Sequence, residues 1–379
     1  MTTAPGVDVP DADQPRPTTP DIGLFGTGTT VPTVVPTAAE LPVEIPVDLT
    51  GMDADDRART KIITAAIRRR SQELRRDHPV LRHQDALGLA AFAVAVAGFV
   101  GSGALYLTGV LPWYVTVLLS AAFAAVGHEV EHDLIHALYF RRRKAVRYAL
   151  LFGVWAIRPY TINPVYRIRL HLRHHAYSGL PDDIEEVSIT NGKPWGLVRL
   201  YSLLDPYVPA LIRIVTTRPA DAEDALWRRT ILKASIGLTP VAITIWYGFL
   251  ALHVAAWAGA AVPAGLLHTL TVLTVVWVGP NVWRGFCLHF ISSNMHYQGD
   301  VEQGNVLQQT QVFNKWYLVP FQVFCLNFGS THPIHHFYVA DPFYVRQLME
   351  RDIHPVLAAN GVRFNDMGTF ARANRYQQA

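Results

Sequence analysis

GHEVEHDLIH, Gly127 to His136, places three histidines four residues apart at the end of an apolar run. Four residues is about one helical turn, so a helix here puts His128, His132 and His136 on one face. Two later stretches repeat the theme with another spacing: HLRHH carries His171, His174 and His175, and HPIHH carries His332, His335 and His336. Nine of the sixteen histidines lie in these three boxes, so the rest of the chain reads as the scaffold that brings them together. In the HxxHH form, positions i, i+3 and i+4 present three ring nitrogens on one side of a helix. Pro333 is tolerated in a first turn. With Gly329, Ser330 and Thr331 before it as caps, the third helix is predicted to begin at the box itself.

The composition points to a membrane. Half of the 379 residues are hydrophobic and 17% are charged, against about a quarter charged in an average soluble domain; mean hydropathy is positive. A net charge of +3 is small, and no nucleic-acid partner is expected. The two cysteines, Cys287 and Cys325, form no CxxC pair. They are expected to pack as small apolar residues, without a disulfide framework or a cysteine-bound iron centre.

Along the chain, residues 1–50 are rich in Pro, Thr, Val and Asp, lack the pattern of a signal or transit peptide, and are expected to be a disordered tail. Residues 51–85 interleave Arg57, Arg59, Lys61, Arg68, Arg69, Arg70, Arg75 and Arg76 with Ile62, Ile63, Ala66, Ile67 and Leu74, as in an amphipathic helix lying on an anionic membrane face. Four apolar runs follow, about Ala86 to Leu107, Leu111 to Val126, Ile231 to Trp257 and Val262 to Val278. Each approaches the roughly 20 residues a helix needs to cross the hydrocarbon core. They pair into two hairpins, with Pro240 expected to kink the third helix. Tyr148 to Ile157 is too short to cross and is assigned to the interface. The membrane domain is expected over 86–345 and a C-terminal tail over 346–379.

The two hairpin links carry no Lys or Arg, whereas the opposite side carries Arg141, Arg142, Arg143, Lys144, Arg147 and the loop from Arg158 to Arg229. Basic residues mark the cytoplasmic side. Both termini and all three boxes therefore fall there, giving an all-α, multi-pass integral membrane fold of four transmembrane helices in two hairpins. A cytoplasmic helical cap holds the boxes.

Eight or more imidazoles exceed what one metal can use, since zinc takes about four ligands and an octahedral ion about six; two metals follow. One competing reading is present, because His128-Glu129-Val130-Glu131-His132 matches HExxH, the zinc protease signature in which Glu is the general base. It explains one box and leaves the six histidines of the others unused. Glu129, Glu131, Asp133, Asp182, Asp183 and Asp300 are candidate partners for ligand N–H groups, although pairing with Arg167 or Arg173 would look the same in sequence.

HDLIH, HLRHH and HPIHH, in that order around a membrane hairpin, resemble the membrane fatty acid desaturase and hydroxylase superfamily over roughly Ala86 to Pro342. The resemblance implies a non-haem di-iron centre, held almost wholly by histidine, that uses O2 on an unactivated C–H bond of a fatty acyl or similar lipid chain. The HDxxH form and the distance to His171 select His132 and His136, leaving His128 as a ligand, a supporting residue or a bystander. A further ligand is implied in ISSNMHYQGD: His296, with Asn294 beside it able to hold a water and His289 the alternative. The order of the boxes favours desaturation; hydroxylation or ketolation of a lipid, alkane or carotenoid uses the same boxes. The chain carries no flavin, haem or dinucleotide motif, so an external donor such as a ferredoxin is expected, with Arg141 to Arg147 as a docking candidate. Trp155, Tyr160, Trp283, Phe286 and Phe290 are candidates to line a substrate channel.

Overall fold

The computed structural model describes residues 52–178, 183–190, 192–220, 222–296, 302 and 305–372; the segment read as a tail, 1–50, lies outside them, as do Asp182 and Asp300. The described chain is helical apart from one short parallel ladder, β1 (Gln311–Val312) on β2 (Arg363–Phe364), in the register Gln311 to Arg363 and Val312 to Phe364.

Thirteen longer helices carry the fold: α1 (Ala54–Asp77), α2 (Gln84–Leu107), α3 (Trp113–Ile135), α4 (Lys144–Ile157), α5 (Pro164–Tyr177), α6 (Ile184–Thr190), α7 (Leu197–Leu204), α8 (Tyr207–Thr216), α9 (Ala222–Ala234), α10 (Leu238–Trp257), α11 (Ala264–Met295), α12 (Phe328–Phe337) and α13 (Phe343–Ala359). Four of them, α2, α3, α10 and α11, are long and apolar enough to cross a membrane. Leu89, Val94, Val100 and Leu105 on α2, and Val241, Leu250 and Val254 on α10, are exposed, which is the surface that a hydrocarbon solvent requires. The chain is an integral membrane protein.

The spans differ from the sequence reading at their cytoplasm-assigned ends. α3 does not stop near Val126 but continues to Ile135, so His128 and His132 lie within it. The run from Ile231 is broken: α9 ends at Ala234 and α10 starts at Leu238 after Gly237, whose φ of +110° suits glycine. A Cβ at Gly237 would lie 2.4 Å from the Trp155 ring. This break puts Pro240 in the first turn of α10, where its missing N–H has no helical partner to lose, which removes the reason for the expected kink. α11 runs 32 residues without interruption, through a π-helical stretch at Thr274–Val278, and ends beside His296.

α1 buries Ile63, Ile67 and Leu74 against a cluster that includes Val345, Met349, Ile353 and Leu357 of α13. Ile63, Ile67 and Leu74 are thus occupied by protein, whereas Ile62 is exposed beside the basic residues. The chain beyond residue 345 does not trail away as the sequence reading expects. Val345, Met349, Ile353 and Leu357 recur every four residues and are buried, which is the pattern of a core-facing helix.

Candidate metal centre

Each box is delivered by a helix whose ends are fixed locally. α3 carries the first, and the backbone of Ala137 turns left-handed at φ +54°, ending the helix just after His136. α5 carries the second and begins on Asn163, whose side chain accepts from the Val165 N–H, with Pro164 at the first helical position. α12 carries the third and opens at Phe328, four residues before the box, so Ser330 and Thr331 lie in its first turn and are not the caps that the sequence reading made them. Pro333 therefore sits inside the helix, and it cannot donate to the Gly329 carbonyl. The Phe313 N–H does so instead, at 2.8 Å, which satisfies the orphaned acceptor. That close approach needs a glycine, because a Cβ at Gly329 would lie 2.7 Å from Gln322 Nε2 and 2.8 Å from Ile291 Cγ2.

The boxes converge into two groups. His132, His136, His171, His175 and His335 form one, and His174, His296, His332 and His336 form the other, with the nitrogens of each within 4.8 Å of one another. In the first, Nε2 atoms close a ring: His136 to His171 at 3.0 Å, His171 to His175 at 3.2 Å, His175 to His335 at 3.1 Å and His335 to His136 at 3.1 Å. A square of such an edge has a centre-to-corner distance of about 2.2 Å, close to the about 2.0–2.1 Å of a zinc–imidazole bond. His132 completes the group with both ring nitrogens buried and without a hydrogen-bond partner. In the second, His332 and His336 approach at 3.1 Å through Nε2. The groups are adjacent, with the His132 and His332 rings 5.2 Å apart and the His175 and His336 rings stacked at 4.8 Å. Buried nitrogens without partners and rings converging at these distances fit bound metal ions.

His128 belongs to neither group. Its ring lies 5.7 Å from that of Phe328, and its Nδ1 is 3.4 Å from Glu129 Oε1. Glu129 accepts from Arg346 Nη2 at 2.9 Å, so the HExxH histidines are not gathered on one ion and its glutamate is tied to an arginine. His289 is also outside both groups; its Nδ1 donates to the Leu203 carbonyl at 3.0 Å.

Carboxylates fix two ligand candidates. Asp183 Oδ2 faces His174 Nδ1 at 2.7 Å and Glu185 Oε2 faces His171 Nδ1 at 3.2 Å, so in each ring Nδ1 donates outward and Nε2 is the atom left to ligate. Burial lowers the His174 pKa, but the charge and hydrogen bond of Asp183, with Glu185 and Glu186, outweigh it and raise the value to about 9. The site therefore favours a positive charge, whether a proton or a metal ion. Burial, with the surrounding imidazoles, holds His136, His175, His332 and His336 well below the ordinary histidine range, hence neutral and able to ligate. Glu185 is held ionised, because Arg167 and His171 overcome its burial. His335 differs: Arg346 Nη1 donates to its Nδ1 at 2.9 Å, so a neutral ring carries its proton on the inner Nε2, which would have to give it up to ligate a metal.

Glu131 pairs with Arg158 at 2.7 Å, and Asp133 accepts from the Tyr139 hydroxyl at 2.8 Å and the Phe343 N–H at 2.9 Å; neither holds a ligand ring by a hydrogen bond. Glu185 and Arg346 were missed from sequence, although the acidic run from Asp182 to Glu186, shortly after HLRHH, was the available signal for the first. Asn294 donates to the Phe290 carbonyl at 2.7 Å. Both cysteines are free and buried.

A cavity of about 120 Å³ opens on these groups, lined by His128, His132, His171, His174, His296 and His332 together with Arg158, Tyr160, Arg167, Arg284 and apolar side chains. Of the five aromatic residues named from sequence, Tyr160 lines it and Trp155, Trp283, Phe286 and Phe290 do not. Phe290 stacks instead on Phe321 at 4.3 Å, and Trp283 is partly exposed.

Comparison with known proteins gives a match to the family described as Fatty acid desaturase over residues 109–368. No curated protein matches the chain. The matched segment contains all three boxes and both histidine groups, and the family and the groups are together consistent with iron binding in a lipid-modifying oxidoreductase.

Proposed function

Since the chain belongs to the fatty acid desaturase family, we propose that it is an O2-dependent di-iron oxidoreductase that introduces a double bond into a fatty acyl or similar lipid chain. The observation that carries this reading is the pair of adjacent histidine groups. One iron is held by His132, His136, His171, His175 and His335, and the other by His174, His296, His332 and His336. The irons supply the activation of O2 that an unactivated C–H bond requires. The chain's own residues do the rest. Asp183 and Glu185 orient His174 and His171 by accepting from their outer Nδ1 atoms. Arg346 ties His335 to Glu129 and Asp133 across α12, α13 and α3. The apolar wall of the cavity excludes water and receives the alkyl chain.

In the membrane, the four spans form two hairpins with both termini and the site on the cytoplasmic side, where the basic residues lie. Electrons come from a ferredoxin-like carrier. Arg141, Arg142, Arg143 and Lys144 are exposed and suit an acidic partner, whereas Arg147 is buried and does not belong to that surface. Hydroxylation, or ketolation of a carotenoid or alkane, would use the same ligands.

The test is expression in a host with a ferredoxin system, with metal analysis of the purified protein and mass spectrometry of extracted lipids. Two irons per chain and a product short of two hydrogens are expected. Gain of one oxygen atom would replace desaturation by hydroxylation, and one zinc per chain would refute the di-iron reading.

A further inference from the structure

Three arginines line the cavity beside the histidine groups, and two are paired within the protein. Arg158 Nη1 donates to Glu131 at 2.7 Å, and Arg167 donates to Glu185. Arg284, on α11, is 2% exposed, yet its Nε and Nη1 are buried without a hydrogen-bond partner and no carboxylate of the described residues pairs with it. Glu186, the remaining carboxylate of the cavity wall, takes its hydrogen bond from Ser292. An unpaired buried guanidinium is costly, and such residues are candidates for functional positions.

Arg284 stands on a face that leads to the metal groups. Arg284, Leu288, Ser292 and His296 follow at four-residue spacing on one helix end, and all four line the same cavity. Twelve residues of helix separate Arg284 from His296, about 18 Å along the axis. Leu288, Phe328, Leu170, Ile162 and Ile231 supply apolar wall. A group bound at Arg284 is therefore anionic, with an aliphatic remainder running along this apolar wall.

We propose that the substrate is an aliphatic chain with a free carboxylate, taken up with that carboxylate on Arg284. This rests on the di-iron reading for the reaction but not for the binding. Bidentate pairing of a carboxylate with the guanidinium fork supplies the missing partner. It also fixes which carbons of the chain lie beside His132 and His332.

The test uses the full chain in lipid nanodiscs, with dodecanoate and methyl dodecanoate as probes and thermal unfolding, ligand titration and iron content as readouts. Dodecanoate should stabilise the wild-type protein, and the methyl ester should bind at least about tenfold more weakly, as expected for losing a charged hydrogen-bonded pair. Arg284→Met should lose that preference, while Arg284→Lys should keep part of it. Without ligand, Arg284→Met should unfold at a higher temperature than the wild type, because it removes an unpaired buried cation. Equal binding of acid and ester, undiminished acid binding by Arg284→Met, or a ligand-free Arg284→Met less stable than the wild type would each overturn the proposal. Absence of iron from a wild-type protein that still prefers the acid would overturn the di-iron reading and leave the carboxylate site standing.

Discussion

Replacing Asp183 with Asn removes the carboxylate that faces His174 Nδ1 at 2.7 Å and leaves a neutral amide of the same shape. Asp183 is fully buried, so its charge acts with little screening. The rise of His174 from 6.5 to about 9 corresponds to about 3 kcal/mol favouring a positive charge there, net of a burial effect that works against it, and Asp183 is the first of the groups that raise it. Asn keeps an acceptor for the imidazole N–H, so only part of that effect is lost. Removing a partner of this kind costs about 10- to 100-fold in metal affinity, or about 1.4–2.8 kcal/mol. His174 belongs to the four-histidine group, so that ion should leave first. Dialysis against a graded chelator series, with iron counted per chain, should show Asp183→Asn losing one of two irons at a chelator strength the wild type withstands. Glu185→Gln should weaken the five-histidine group less, because His171 is one of five and its contact is longer, at 3.2 Å. Equal retention of both irons by Asp183→Asn and the wild type would refute the reasoning.

His128→Ala should keep the iron content of the wild type while His132→Ala loses iron, since only His132 belongs to a group; equal iron loss by both in elemental analysis would make His128 a ligand. Arg346→Met leaves Glu129 and Asp133 buried without their cation and should cost about 3–5 kcal/mol. Denaturant or thermal unfolding of purified protein checks this, and a change below about 1 kcal/mol would count against the pairing. Gly329→Ala pushes a methyl into Gln322 and Ile291 and should destabilise by about 1–3 kcal/mol, with iron lost by the group that contains His332 and His336; unchanged stability in the same unfolding assay would show that the contact yields.

The boxes and the spans were legible because each is local: histidines at i, i+3 and i+4, and apolar runs of membrane length, need no knowledge of tertiary neighbours. His296 was reachable only through the family resemblance, since nothing local distinguishes it from His289. The ends of the elements were not legible. Gly237 breaks a run of continuous hydropathy because of a left-handed backbone and the Trp155 ring, neither of which composition records. α12 opens before its box because the Phe313 N–H takes the role that Pro333 forfeits toward the Gly329 carbonyl, a contact between residues sixteen positions apart. Arg346 and Arg284 look in sequence like ordinary basic residues, and only burial separates them from the many at the surface.

The contact between His136 and His335 joins positions 199 residues apart in the chain. An ion held there is a cross-link as well as a reagent, closing a very long loop whose entropy the unbound chain would otherwise regain. The first and second boxes emerge during synthesis long before the third, so the cross-link can form only when nearly the whole chain has been made. Metal content then reports completion of the tertiary structure, and a chain truncated before α12 would have the membrane anchors without the means to close.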